Sequence, residues 1–219
     1  MSDGLESEVR ESRSRAEQRE ATRLALMEAG VTAFAAKGHD GVNLAKDILD
    51  PVGISVGSFY HQFENKTDLL LAIIELATEV AEARFFAALP EDDAGMSRED
   101  IAALWEAFLS LVDTRADVVT IQLRETHSPH PQIAEAIKRL TDLRITYLAD
   151  RYQRLAIPGR VVDGDAVAEM LAALSLGALT MYLHVPEADR PRRKAELVER
   201  LTTMSLSGIT GFFDDAERD

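Results

Sequence analysis

The hydrogen-bonding side chains of this sequence concentrate in one stretch, GISVGSFYHQFENK, at residues 53–66. Phe59 and Phe63 lie four residues apart and so share one face of a helix. Val52 and Ile54 sit at the turn just before them and complete an apolar anchor. The other side presents Ser55, Val56, Gly57, Ser58, Tyr60, His61 and Gln62. Small residues at the start of such a helix permit close approach to another surface, and its free amides and dipole favour an anion there. Tyr60, His61 and Lys66 add donors with phosphate reach. A slim tip, a few hydrogen-bonding groups and backbone clamps at the flanks are what a helix entering the DNA major groove needs. The plainer alternative is a polar, solvent-facing side on a small helix.

Little else in the chain offers chemistry. There is no cysteine, which excludes disulfides, thiol catalysis and Cys-ligated metal sites. His127 and His130 stand three apart in HSPHP, but two prolines make that segment a loop and no acidic cluster joins them at ligand spacing. No metal and no cofactor is therefore expected. Nucleophile elbow, P-loop, HExxH and Rossmann patterns are all missing, so an enzyme is not expected.

The composition, 46% hydrophobic and 28% charged, is that of a soluble globular protein. The opening MSDGLESEVRESRSR is charged and has no apolar core of the secretory kind. The run at 166–183 is long enough to span a bilayer, yet it includes Glu169, Ser175, Gly177 and Thr180. A helix buried on several sides explains it better, so a cytoplasmic protein with no membrane contact is expected. The net charge of −14 opposes nonspecific attraction to phosphate backbones. Residues 1–78 carry eight Lys/Arg and thirteen Asp/Glu, so a nucleic-acid site there has to be a local surface.

Helical spacing dominates the elements that position these groups, and the expected class is all-α with about nine helices. Residues 1–18 are polar and read as a flexible arm. Its arginines at 10, 13, 15 and 19 alternate with glutamates, which favours self-pairing over contact with DNA. From residue 19, Leu24, Met27, Val31 and Phe34 recur at helical spacing, and Lys37-Gly38 ends that helix. Asn43 caps a short second helix that Asp50-Pro51 closes. Gly53 makes a turn, Ser55 caps the helix of the opening stretch, and a long helix begins at Asn65 or Glu64 and runs to about 89. Beyond an acidic loop, with Ser97 as cap, helices are expected to about 112, over 116–126 and over 133–155. A further helix capped by Asp165 and a last one over 192–213 follow. Expected divisions are the arm at 1–18, a head at 19–78 and a larger helical domain at 79–219.

A short helix, a glycine turn and a second helix, braced by a longer one, form a helix-turn-helix. Residues 19–75 resemble the DNA-binding head of the TetR family of transcriptional regulators. The resemblance rests on Phe34, Gly38, Asn43, Ile48, the GIS-VGS-FY-x-x-F pattern of 53–63, and Lys66-x-x-Leu69-Leu70. Three features depart from the family pattern: GHDGVN is about one residue longer than the usual loop, Pro51 stands where alanine usually continues the helix, and Gln62 replaces a frequent histidine. The resemblance implies base-facing roles for Ser55, Val56, Gly57, Ser58 and His61, and phosphate contacts from Asn43, Lys46, Tyr60, Gln62 and Lys66. It also implies a larger helical domain that binds a small effector and dimerises.

An effector pocket should be largely apolar with a few polar groups. Phe85, Phe86, Trp105, Phe108, Leu123, Tyr147 and Leu174 are its candidate lining, with ordinary core as the alternative for each. Segment 166–183 is apolar almost all round, and the last helix repeats Leu197, Leu201, Met204 and Gly208. Together with Leu174 and Met181 these suit a two-fold four-helix interface. The expected protein is a homodimeric regulator, a repressor released from a palindromic operator by a small, largely apolar effector. The alternative is a ligand-sequestering or protein-binding dimer with a degenerate head.

Overall fold

A computed structural model describes residues 2–87, 97–153, 160–209 and 213–215. The chain divides into two units, Met1–Ile74 and Glu75–Asp219. The first helix, α1, runs over Ser2–Gly41, so the expected arm is helical in the structure. The sequence offers a reason: Glu6 precedes Arg10, and Glu11 precedes Arg15, by four residues, the order that supports a helix. At Gly38 the backbone turns to φ 69°, and one further helical turn follows.

The second helix begins as a π-helical turn, Ala45–Leu49, and continues as α2, Asp50–Val52. Asn43 caps it, its Oδ1 accepting the amide of Lys46 at 3.0 Å. The wide turn comes just ahead of Pro51, whose ring crowds the carbonyl four residues earlier; the Asp50 amide accordingly donates to Ala45, five back. Gly53 is left-handed (φ 71°), which glycine adopts at no steric cost, and it sends the chain into α3, Val56–Tyr60. Asn65 caps α4, Lys66–Ala87, through the Asp68 amide at 3.0 Å.

The core of the first unit includes Leu26, Phe34, Ile48, Phe59, Phe63, Leu69 and Leu70. Gly30 marks where α1 and α4 come closest: a Cβ there would lie 2.9 Å from Ile73 Cδ1. His39 is buried, with Nε2 2.9 Å from Thr67 Oγ1 and Nδ1 2.9 Å from Asp40 Oδ1.

In the second unit Ser97 and Asp100 form a capping box at the start of α5, Arg98–Glu125. Two helices were expected here, and the structure bears this out: Arg115 leaves helical geometry (φ −147°, ψ 59°) in the expected gap and divides α5 in two. α6 is Pro131–Gln153 and α7 is Gly164–Leu183. The cap of α7 is Asp163, not the expected Asp165: its side chain accepts the Ala166 amide at 3.0 Å. A 3₁₀ turn, Glu187–Asp189, leads to α8, Arg190–Ile209. That helix stops short of the expected 213. Phe213 instead opens β2, Phe213–Asp215, antiparallel to β1, Arg160–Val162, with Val162 opposite Phe213.

α5 packs on α7 and α8, and α6 packs on α7. Their shared core holds Ile101, Trp105, Leu109, Val112, Leu171, Leu179 and Tyr182. A polar network ties three of these helices together. Tyr182, fully buried, donates to Asp113 Oδ1 at 2.8 Å. Lys194 Nζ lies 3.0 Å from Asp113 Oδ2, 2.7 Å from Glu106 Oε1 and 3.1 Å from Ser110 Oγ. Burial, the hydrogen bond to Asp113 and that group's charge all push the Tyr182 phenol upward. For Lys194 burial works downward, but the hydrogen bonds to Glu106 and Asp113 outweigh it and the ammonium is raised.

Candidate DNA-binding surface and ligand cavity

α3 divides sharply into two sides. Phe59 is fully buried and Phe63 nearly so, their rings 5.8 Å apart and tilted. Ser55, Val56, Gly57, Ser58, Tyr60 and His61 are exposed, Val56 and Tyr60 by more than half. Ser55 Oγ accepts the Ser58 amide at 3.1 Å and also meets Ser58 Oγ at 2.9 Å, so these two hydroxyls define the tip. No charged residue stands between Pro51 and Phe63.

The far end of α3 is pinned to α1. Arg19 Nη2 donates to the His61 carbonyl and Arg23 Nη1 to the Gln62 carbonyl, both at 3.4 Å. The Arg23 guanidinium lies 4.5 Å from the Phe63 ring centroid, a cation–π contact. From sequence alone Arg19 groups with the arm and Arg23 has no role; their four-residue spacing on one face of α1 is the available signal.

Two residues expected to meet phosphates are engaged inside the head. Gln62 Nε2 donates to the Arg19 carbonyl at 3.1 Å. Lys66 Nζ donates to the carbonyls of His39 (2.8 Å) and Val42 (3.1 Å), closing the last turn of α1. Asn43 and Lys46 are exposed at the start of the second helix. Beside them Lys37 Nζ pairs with Asp47 Oδ1 at 2.6 Å. The lysine hydrogen bond, with that from the Asn43 amide, holds the Asp47 carboxyl below the usual range.

The second unit holds an open-sided cavity of about 300 Å³, at the lower end of small-molecule sites. Phe85, Trp105, Phe108 and Leu123 line it, as do Ile137 and Ile145 from α6 and Leu171, Ala173 and Leu176 from α7. Leu174 is not in the wall; it packs against the core instead. Phe86 and Tyr147 fall outside the residues whose side chains are described. The polar members Gln122, Thr126, Thr141 and Ser175 were not anticipated. A polar residue on an amphipathic helix is read from sequence as solvent-facing, so no signal separated them.

Helix α7 is long and apolar enough to cross a membrane by length and composition. It buries Val167, Leu171, Ala178 and Tyr182, and exposes a second stripe at Ala173, Leu176, Gly177, Thr180 and Met181. Met204 of α8 is also exposed. Leu197 and Leu201, expected at an interface between protomers, are instead buried in the protomer's own core. Gly208 lies in α8, outside the residues whose burial is described.

Residues 26–73 match the family model described as "Bacterial regulatory proteins, tetR family". Over that stretch the head is similar to the TetR family. The remainder of the TetR-type fold is supported by solved structures. A putative transcriptional regulator from Pseudomonas aeruginosa PAO1 superposes with a TM-score of 0.70 at 20% identity, over 88% of this chain and 94% of that one. GusR of Salmonella enterica gives 0.66 at 22% identity, over 87% and 96%. FadR of Bacillus subtilis, in complex with stearoyl-CoA, gives 0.68 at 16% identity, over 85% and 98%. No curated protein matches the chain. The chain thus has the fold of a DNA-binding transcriptional regulator, all-α, with a helix-turn-helix head and a larger helical domain.

Proposed function

We propose that the protein is a homodimeric, ligand-responsive repressor that binds a palindromic operator and leaves it when the cavity fills. The observation that carries this reading is α3. Its buried phenylalanines fix a helix whose other side is small, uncharged and hydrogen-bonding, and a groove-reading helix needs both properties. Ser55, Val56, Gly57, Ser58 and His61 meet base edges in this proposal; Asn43, Lys46 and Tyr60 hold phosphates. Gln62 and Lys66 serve by positioning α3 and the end of α1, where one of the two Gln62 amide donors and two of the three Lys66 ammonium donors are engaged.

The exposed stripe of α7, with Met204, is the proposed dimer surface, and its apolar character suits burial against a second copy. Ala173 and Leu176 belong both to that stripe and to the cavity wall. A ligand pressing on α7 therefore acts on the pairing of protomers directly. Differential affinity of about 1–3 kcal/mol for the mis-spaced state weakens operator binding roughly 5–150-fold. The protein works in the cytoplasm, where its DNA is.

Selection from random duplex DNA tests this reading. The expected product is a palindrome with half-sites about 34–36 Å apart, or a multiple of it, bound steeply less well as salt rises. The engaged donors of Gln62 and Lys66 favour one other reading, a ligand-sequestering dimer with a silent head. Absence of any operator shift at low salt would establish that reading and overturn the repressor.

A further inference from the structure

The cavity is closed to charge. Among the described residues lining it, none is acidic, basic or histidine. Its polar groups are unevenly committed. Trp105 Nε1 donates to Ser205 Oγ at 3.1 Å, and Ser205 Oγ donates to the Leu201 carbonyl at 2.8 Å. Ser175 donates to the Leu171 carbonyl (2.7 Å), Thr126 to Gln122 (2.8 Å) and Thr141 to Ile137 (3.4 Å). Each of these donors is used within its own helix or its neighbour, leaving only oxygen lone pairs toward the cavity. The Gln122 side-chain amide is different: among the described lining residues it alone offers a donor with no hydrogen bond to protein. Gln122 is half-buried in a mostly apolar wall, where a donor gains from a partner the ligand supplies, so the ligand is expected to meet it.

We propose that the cavity takes an uncharged, mostly apolar molecule carrying one acceptor, a carbonyl or ether oxygen, which receives the Gln122 amide. Carboxylates, sulfonates and acyl-CoA thioesters are disfavoured, because their charge meets no cation among the described lining residues and loses its water. Gln122 is the residue that sets this specificity. The inference rests on reading the cavity as the effector site and refines it.

The test uses the full-length protein and the emission of Trp105, the chain's single tryptophan, which stands in the wall. N-phenyl-1-naphthylamine and 8-anilinonaphthalene-1-sulfonate share a scaffold and differ by the sulfonate. The neutral probe is expected to quench Trp105 and bind at least about tenfold tighter than the anion. Equal or tighter binding of the sulfonate at Trp105 overturns the proposal. A second pair isolates Gln122: 1-acetylnaphthalene and 1-ethylnaphthalene displace the neutral probe, and the acetyl compound is expected to win by about 5–10-fold, one hydrogen bond's worth. Gln122→Leu should erase that preference while leaving the ethyl compound unaffected. A preference that survives in Gln122→Leu refutes the assignment. If the variant does not fold, equal affinities for the two compounds in the parent protein refute it alone. Operator binding measured in parallel separates the two levels. Tight neutral binding with no effect on DNA ends the effector reading and leaves the ligand class standing; tight sulfonate binding that releases DNA does the reverse.

Discussion

Phe59 and Tyr60 are neighbours in sequence, and replacing each with alanine should give opposite results. Phe59 is 0% exposed and Tyr60 57%. Truncating a fully buried phenylalanine costs about 3–5 kcal/mol, a large share of the roughly 5–15 kcal/mol that holds a domain folded. Phe59→Ala should therefore lower the urea midpoint of the head and lose DNA binding through unfolding. Tyr60 has little packing to lose, and its removal should change stability by no more than about 0.5 kcal/mol. In the proposed complex its hydroxyl meets a phosphate and contributes about 1.5–3 kcal/mol per head, so Tyr60→Ala should weaken operator binding roughly 10- to 150-fold per head. Salt dependence then distinguishes positions from charges. Tyrosine is neutral and leaves the slope of log K against log salt unchanged. Lys46→Ala removes one phosphate contact from each head of a dimer and lowers the slope by about 2. Electrophoretic shifts between low and moderate salt, beside urea unfolding, read all three variants. A Tyr60→Ala protein that is stable and binds its operator like the parent would refute the proposed surface, as would an unchanged salt slope for Lys46→Ala.

Other outcomes follow from particular contacts. Met181 is 58% exposed on the outer stripe of α7. Met181→Glu should yield monomers in sedimentation at micromolar concentration and weaken operator binding, with little change in helicity; a dimer that persists removes α7 from the interface. Lys66→Met abandons two carbonyls at the end of α1 and should cost about 2 kcal/mol of stability, with no change in salt slope if the head binds DNA at all. Tyr182 and Lys194 both bind their protons more tightly folded than unfolded, so the stability they supply is complete below about pH 10 and is lost as pH rises beyond. Tyr182→Phe should cost about 1.5–3 kcal/mol at neutral pH, the value of a hydrogen bond to a charged group, and flatten the alkaline decline seen in unfolding at pH 9 to 11.

The head was legible because its signals are local. Phe59 and Phe63 at i,i+4, Gly38 and Gly53 at left-handed positions, and caps at Asn43 and Ser55 each specify one turn of backbone. The long-range features were not. β1 and β2 are three residues each and meet across some fifty residues of chain, so neither carries a period of its own. The inward turn of Leu197 and Leu201, with Met204 outward, depends on which flank of α8 faces α5. A helix with apolar residues on both flanks does not reveal that choice. The arm is a third case. Its alternating charges satisfy a polar helix as well as a disordered tail, and only its continuity with the apolar part of α1 decides between them.

The acidity of the chain is the strongest physical objection to a DNA-binding role, and the head answers it locally. Thirteen acids against eight bases in residues 1–78 give a repulsive far field. The proposed contact surface is a different matter: residues 51–63 hold no acid at all. Asp47, beside that surface, is neutralised by Lys37. The proposed contact brings hydroxyls, an imidazole and Lys46 to the duplex, with the exposed Asp50 and Glu64 flanking residues 51–63 in sequence. Attraction of this kind is short-ranged, since a Debye length near 8 Å at physiological salt separates the contact surface from charge farther away. The far field then lowers affinity for all DNA alike, whereas the gain from fitting base edges belongs to the right sequence only. An acidic protein with such a head gives up nonspecific binding first, which widens the ratio of specific to nonspecific affinity that a regulator needs in a genome of competing sites.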